Sequence, residues 1–249
     1  MSERACVSLD ERQLMVAMGS AHAAPFLCAM VHDGVVTAPQ ARALVGQATH
    51  GASVRLVVRQ LWAGVVRIHG DVASPTVGLV GAGMGLTGLQ IARELQASIT
   101  FAAEGCPRAA AAGRYMLSAT GHSPTWFGRA ESPALASAAW TTTVEAVTLR
   151  CAPFSIANAH YPRGVEAALR ELAAVLRGVR ARQPLAVVYE NTSGLWRRPE
   201  LRRRVEALFL QILPEYDWRG TLVSPHLHSG SRMRRRRVFY FGVRQASVA

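Results

Sequence analysis

The chain has 249 residues, half of them hydrophobic and 18% charged, and carries a formal net charge of +12. These totals exclude a disordered chain and allow one sizeable core, with room for a small appendage. All 28 basic residues are arginine, a bias that GC-rich coding explains and that also suits a surface for polyanions, because guanidinium forks grip phosphate oxygens.

Four cysteines, Cys6, Cys28, Cys106 and Cys151, stand far apart with no C-x-x-C pair. That argues against a zinc site or disulfide scaffold and for a reducing, intracellular compartment. The stretch Ser74 to Ala92 is uncharged and approaches membrane-span length. It contains Pro75 and five glycines, so it reads as strand, turn and helix start, and no membrane partner is expected.

In chain order, residues 8–31 read as a capped helix entry, a small-residue turn and an apolar helix. Pro39 to Val66 carries helical spacing with a break around Gly51. Asp71 to Pro75 is the best linker. It divides an N-terminal helical segment, 1–73, from a larger domain, 74–249. From Thr76 onward short apolar runs alternate with amphipathic ones. Val77–Val80, Ser98–Ala102, Val144–Leu149, Leu185–Tyr189, Thr221–Val223 and Val238–Val243 are predicted strands. Gly88–Leu95, Pro107–Ala119, Gly164–Arg180 and Pro199–Leu213 are predicted helices. Such alternation predicts an α/β, Rossmann-like fold: a mainly parallel sheet with helices on both faces. The last two strands follow one another without a helix, which predicts an antiparallel edge hairpin.

Several residues at predicted strand ends could carry chemistry. Gly81-Ala-Gly83-Met-Gly85-Leu-Thr-Gly88 follows a strand and opens a helix, where bare backbone and free amides can meet a nucleotide. By itself it fits NAD, FAD and S-adenosyl-L-methionine enzymes alike, and a dinucleotide-dependent oxidoreductase is one reading. Glu104 closes the second strand, where an acid meets ribose hydroxyls or is simply solvated. Cys151-Ala-Pro-Phe-Ser155 follows the next apolar strand; a lone cysteine is usually a buried structural thiol, whereas a loop position after Arg150 would favour the thiolate. Glu190-Asn191 closes the strand after that, as a site carboxylate or as a cap on the next turn. Arg232 to Arg237 is the main charge block, a solvated basic face or a phosphate contact.

In this order the pieces resemble the DNA (cytosine-5) methyltransferases from Val77 to Arg244. Glu104-Gly-Cys-Pro107 is similar to that family's ribose-binding Glu with a nearby proline. Arg150-Cys151-Ala152-Pro153-Phe154-Ser155 matches its Pro-Cys-Gln-Pro-Phe-Ser. Glu190-Asn191-Thr192 matches Glu-Asn-Val, and the run through Arg235 and Arg237 matches its Arg-x-Arg strand entry. Met18-Gly19-Ser20-Ala21-His22-Ala-Ala-Pro25 resembles a segment bordering the cofactor pocket that usually closes the chain. A circularly permuted member would carry it first, although an ordinary helix-turn-helix reads equally well.

The resemblance implies S-adenosyl-L-methionine as cofactor, held by Gly81, Gly83, Gly85, Glu104 and Ser20. It implies DNA as partner, contacted by Ser155, Arg232, Arg234 and Arg237. Cys151 would attack cytosine C6, Glu190 would contact N3 and the exocyclic amine, and Arg235 would contact O2. The departures are Arg150, Ala152, Met233 and Ser20 in place of Pro, Gln, Gln and Asn. The acid that touches adenine has its nearest candidate in Gly128-Arg129-Ala-Glu131. The family's target-recognition domain would follow the Arg-x-Arg strand. A separate chain or a longer gene product would supply it, or the protein is a nucleic-acid-binding remnant without site-specific turnover.

Overall fold

A computed structural model of the chain describes residues 10–137, 141–155, 164–228, 231, 233 and 235–246. The N-terminal helices begin at α1 (Glu11–Ala17). Its N-cap Asp10 takes a bond from Gln13 N while the Gln13 side chain accepts from Asp10 N, closing a capping box. A short 3-10 turn leads to α2 (Ala24–His32), followed by α3 (Ala38–Gln47) and α4 (Gly51–His69). The break expected near Gly51 is the extended stretch at Ala48 and His50.

From there the elements are β1 (Thr76–Val80), α5 (Leu86–Leu95), β2 (Ser98–Ala103), α6 (Pro107–Ala119), β3 (Thr125–Phe127), α7 (Pro133–Ser137) and β4 (Val144–Thr148). Then come α8 (Val165–Arg182), β5 (Ala186–Thr192), α9 (Ser193–Arg197), α10 (Pro199–Ile212), β6 (Tyr216–Val223), α11 (Pro225–His228) and β7 (Arg237–Arg244). The seven strands pair in the order β3-β2-β1-β4-β5-β7-β6. The first five are parallel, and β7 runs antiparallel between β5 and β6. The hairpin reading holds with two refinements. The one-turn α11 interrupts it, and β6 begins five residues before the predicted Thr221.

Strand pleating sorts side chains onto two faces. On β5, Ala186 and Val188 enter one core while Val187 and Tyr189 enter the other. The first core is covered by α1 to α6. Val54, Val57, Val58, Leu61 and Val65 of α4 are each at most 1% exposed there, and each burial contributes roughly 1.5–3 kcal/mol. The second core is covered by α8 and α10, through residues such as Leu172, Val175 and Phe209.

The N-terminal helices therefore share a core with β1, β4, β5 and β7, across the linker at residue 73. Helix α4 runs parallel to α5: Arg55 Nη1 donates to Gln90 Oε1 at 2.8 Å, and one turn on Arg59 Nε donates to Glu94 Oε1 at 2.5 Å. Both helices thus start at the same end of the sheet. No helix among the described residues is long and apolar enough to cross a membrane.

Candidate active site

The parallel strands deliver their outgoing loops to one edge, where ligands bind in open α/β sheets. An open cleft of about 910 Å³ lies along it, within the range of small-molecule sites. Gly81, Gly83, Glu104, Cys151, Glu190 and Arg237 all line this cleft. Six residues expected from sequence thus meet there, from five separate stretches of chain.

The three glycines of the turn after β1 all have positive φ, and at Gly81 and Gly85 contacts also leave little room for a side chain. Gly81 has φ 72°, and a Cβ there would lie 2.0 Å from the Thr148 carbonyl oxygen. Gly83 has φ 55° and nothing within 4 Å of where a Cβ would stand, so bare backbone faces the cleft. Gly85, at φ 84°, is the N-cap of α5, and a Cβ there would meet Leu117. It shapes the turn and does not line the cleft. The Glu104 carboxylate accepts from Gly83 N and Cys106 N, both at 2.8 Å, joining the turns after β1 and β2. This cradle of bare backbone and a fixed acid fits the nucleoside part of a ligand the size of S-adenosylmethionine.

Cys151 stands one position before a 3-10 turn, Ala152–Phe154, and is partly exposed. Phe154, 1% exposed, roots that turn in the second core. The Arg150 guanidinium lies 2.9–3.0 Å from Glu171 of α8, so its charge has a partner other than the neighbouring thiol.

Glu190 shares a face with Ala186 and Val188, and so points to the α3–α4 side. Its side chain is 10% exposed, and Arg237 Nε lies 2.8 Å from Oε1. This is a close charge contact whose N–H is poorly aimed, because Oε1 has no well-directed hydrogen bond. Burial pushes the carboxyl above its ordinary range, against the opposing pull of Arg237, the Thr49 hydroxyl and Arg235. Arg235 is itself desolvated and repelled by Arg237. Its pKa is drawn down to about 10, while Glu190 and Cys151 pull the other way. Its Nε is buried without a partner. Arg237, placed by sequence among the DNA contacts, is thus the arginine against Glu190, while Arg235, expected as the catalytic arginine, does not line the cleft.

Ser20 does not reach the cleft. Its hydroxyl is wholly buried and accepts from Gln90 Nε2 at 3.1 Å, while Gly51 N donates to the nearby Met18 carbonyl. The segment around Ser20 braces the start of α4 against α5. The N-terminal region lines the cleft instead through Gln40 and Leu44 of α3 and through Ala48 and Thr49. A small polar residue between two helices gives no sequence signal for this. Ser155 follows the Cys151 turn and is half-buried. Arg232 and Arg234 lie outside the described residues. Among the described residues no group of three or more His, Cys, Asp or Glu could hold a metal ion.

No family model and no curated protein sequence matches the chain. Solved structures do. A protein of Listeria monocytogenes described as a class I S-adenosylmethionine-dependent methyltransferase superposes with TM-score 0.53 at 9% identity, over 80% of this chain and 61% of that one. A protein encoded within an E. coli prophage and described as a DNA modification methyltransferase gives 0.51 at 17% identity. There the match covers 68% of this chain and 47% of the other, so this chain spans about half of that protein's length. Precorrin-6y C5,15-methyltransferase of Geobacter metallireducens gives 0.50 at 11% identity, over 79% and 90%. These proteins carry names as unlike as DNA and precorrin, so the likeness speaks to architecture. The seven-stranded sheet with its antiparallel β7 has the fold of the class I S-adenosylmethionine-dependent methyltransferases.

Proposed function

We propose that the chain binds S-adenosyl-L-methionine and methylates C5 of cytosine in DNA, with Cys151 as nucleophile. The observation that carries this reading is the meeting of Cys151, Glu190 and Arg237 with the Gly83–Glu104 cradle in one cleft. Gly81, Gly83 and Glu104 would hold the nucleoside, and Gln40, Leu44 and Thr49 would close the opposite wall. Bound there, the cofactor supplies an electrophilic methyl group.

Cytosine C5 is too poor a nucleophile to take that group unaided. The Cys151 thiolate adds to C6, and the C5–C6 π electrons move toward C5 as Glu190 delivers a proton to N3. C5 takes the methyl group. Loss of the C5 proton to a base then expels the Cys151 thiolate, and N3 returns its proton. A carboxyl that burial keeps protonated to higher pH suits the donor role. Arg235 and Arg237 offset the thiolate and carboxylate charges when these form. The base must leave the helical stack to reach the cleft, and the excess of arginine suits the flanking phosphates.

The test is a trapping experiment with labelled S-adenosylmethionine and duplex, single-stranded or RNA substrates carrying 5-fluorocytosine. The fluorine blocks the final elimination, so the protein should stay attached to DNA and Cys151→Ser should not. Cofactor binding without an adduct on any substrate would point to a nucleic-acid-binding remnant. An adduct on RNA alone would move the substrate class. Protection by NAD with no cofactor binding would turn the reading toward an oxidoreductase.

A further inference from the structure

The Cys151 turn is tied to the outlet of the Glu190 strand by a residue with no role in the chemistry above. Pro199 opens α10, and a residue before proline is driven out of the helical region. Arg198 accordingly has φ −109° and ψ 94°, separating α9 from α10. From that break its Nη2 donates to the Pro153 carbonyl at 3.1 Å and, at a longer 3.4 Å, to the Ser155 carbonyl. These carbonyls flank Phe154, whose ring sits in the same core as the wholly buried Leu195 of α9. Phe154 N in turn donates to the Cys151 carbonyl at 3.0 Å.

Burying Phe154 would by itself root the turn. A guanidinium adds cost here, since its Nε is buried without a partner. What the cation adds is direction. Two charge-assisted bonds to successive parts of one turn fix its rotation, which a ring in a core does not.

We propose that Arg198 is a positioning residue that holds the Cys151 turn in register with the Glu190 strand, so that the thiol is presented to the cleft at one place. This rests on the reading of Cys151 as nucleophile. Misplacing a reacting group by about 1 Å costs on the order of 100-fold in rate.

The test uses the full chain with Arg198→Ala, Arg198→Gln and Arg198→Lys. Iodoacetamide labelling resolved by mass spectrometry follows each cysteine, and the exposed Cys28 and Cys106 serve as internal references. With Arg198→Ala, Cys151 should label several-fold faster while the references stay unchanged. S-adenosylmethionine affinity should hold within twofold, and kcat should fall roughly 10- to 100-fold with KM for DNA unchanged. Arg198→Lys should recover part of the rate, because one nitrogen makes both contacts and an ammonium can fork the same way. Unchanged Cys151 labelling and kcat in the Ala variant would overturn the proposal. So would equal losses in all three variants alongside a lowered urea midpoint, the mark of a merely structural residue. If the Ala variant does not fold, the Lys and Gln variants carry the same comparison. Faster Cys151 labelling in a protein whose wild type traps no adduct would keep the clamp and sink the function.

Discussion

Two carboxylates on neighbouring strands are buried in this sheet, and their surroundings differ in kind. Glu145 on β4 faces α8, where Arg182 meets it with two parallel bonds of 2.7 and 2.8 Å and Thr142 adds a third at 3.2 Å. Arg182 spends another donor on the Leu135 carbonyl and stacks over Phe101. Both side chains are at most 2% exposed. Glu190 on β5 faces the other way, toward α3 and α4, and has one poorly aimed arginine contact beside an open cleft. One site has every partner it needs within the fold. The other keeps donors and acceptors unspent, as expected where a substrate completes the set.

Breaking the satisfied pair should have the largest effect, and on stability alone. Arg182→Met leaves Glu145 buried without its counter-charge, and should cost about 3–5 kcal/mol in urea unfolding. Methyl transfer per folded molecule should hold. Equal loss of both would mean that the two faces of the sheet are not independent.

Glu190→Gln should invert that pattern. Adduct formation should drop on the order of 10²- to 10³-fold, while urea unfolding changes by no more than about 1 kcal/mol. A stability loss as large as that of Arg182→Met would make Glu190 a second structural pair. Arg235→Met should do less, roughly tenfold in adduct formation. Its stability should stay level or rise, because a desolvated cation beside Arg237 is replaced by an apolar chain.

The finest discrimination comes from pH. The Glu190 carboxyl sits above its ordinary 4.5 in the folded protein. Its contribution to stability is therefore complete below that ordinary value and is lost as pH rises through the folded one. The wild type should hold its largest advantage over Glu190→Gln near pH 4 and surrender it toward neutrality. Unfolding curves of both proteins across that range check the sign. An advantage that grows with pH would show that the arginines win over burial.

Much of the architecture was legible because it rests on local periodicity and turn chemistry. The α6 boundaries, Pro107 to Ala119, follow from a proline at the start and a run of helix formers. The half-exposed β6 was cut short because Asp217, Arg219 and Gly220 break its apolar pattern. The three-residue β3 and the five-residue α9 are too short to set up a period at all. In the site, Cys151, Glu190 and the glycine turn were legible because they sit at strand ends. Thr49 and Arg198 were not, since their partners lie far off in sequence and, for Arg198, are backbone carbonyls. Ser20 was expected at the cofactor, but its hydroxyl went to Gln90, seventy residues away.

The cleft is lined from both sides of the linker at residue 73: Gln40 and Thr49 precede it, Gly83 and Glu104 follow it. Any occupant touching both sides ties them together thermodynamically. At a hundredfold excess over its dissociation constant, such a ligand adds about 2.7 kcal/mol against any opening that parts those walls. The grip of the first seventy residues on the sheet is thereby linked to ligand concentration. An empty molecule and a filled one should differ first in how slowly the amides of α3 and the opening turn of α4 exchange with water.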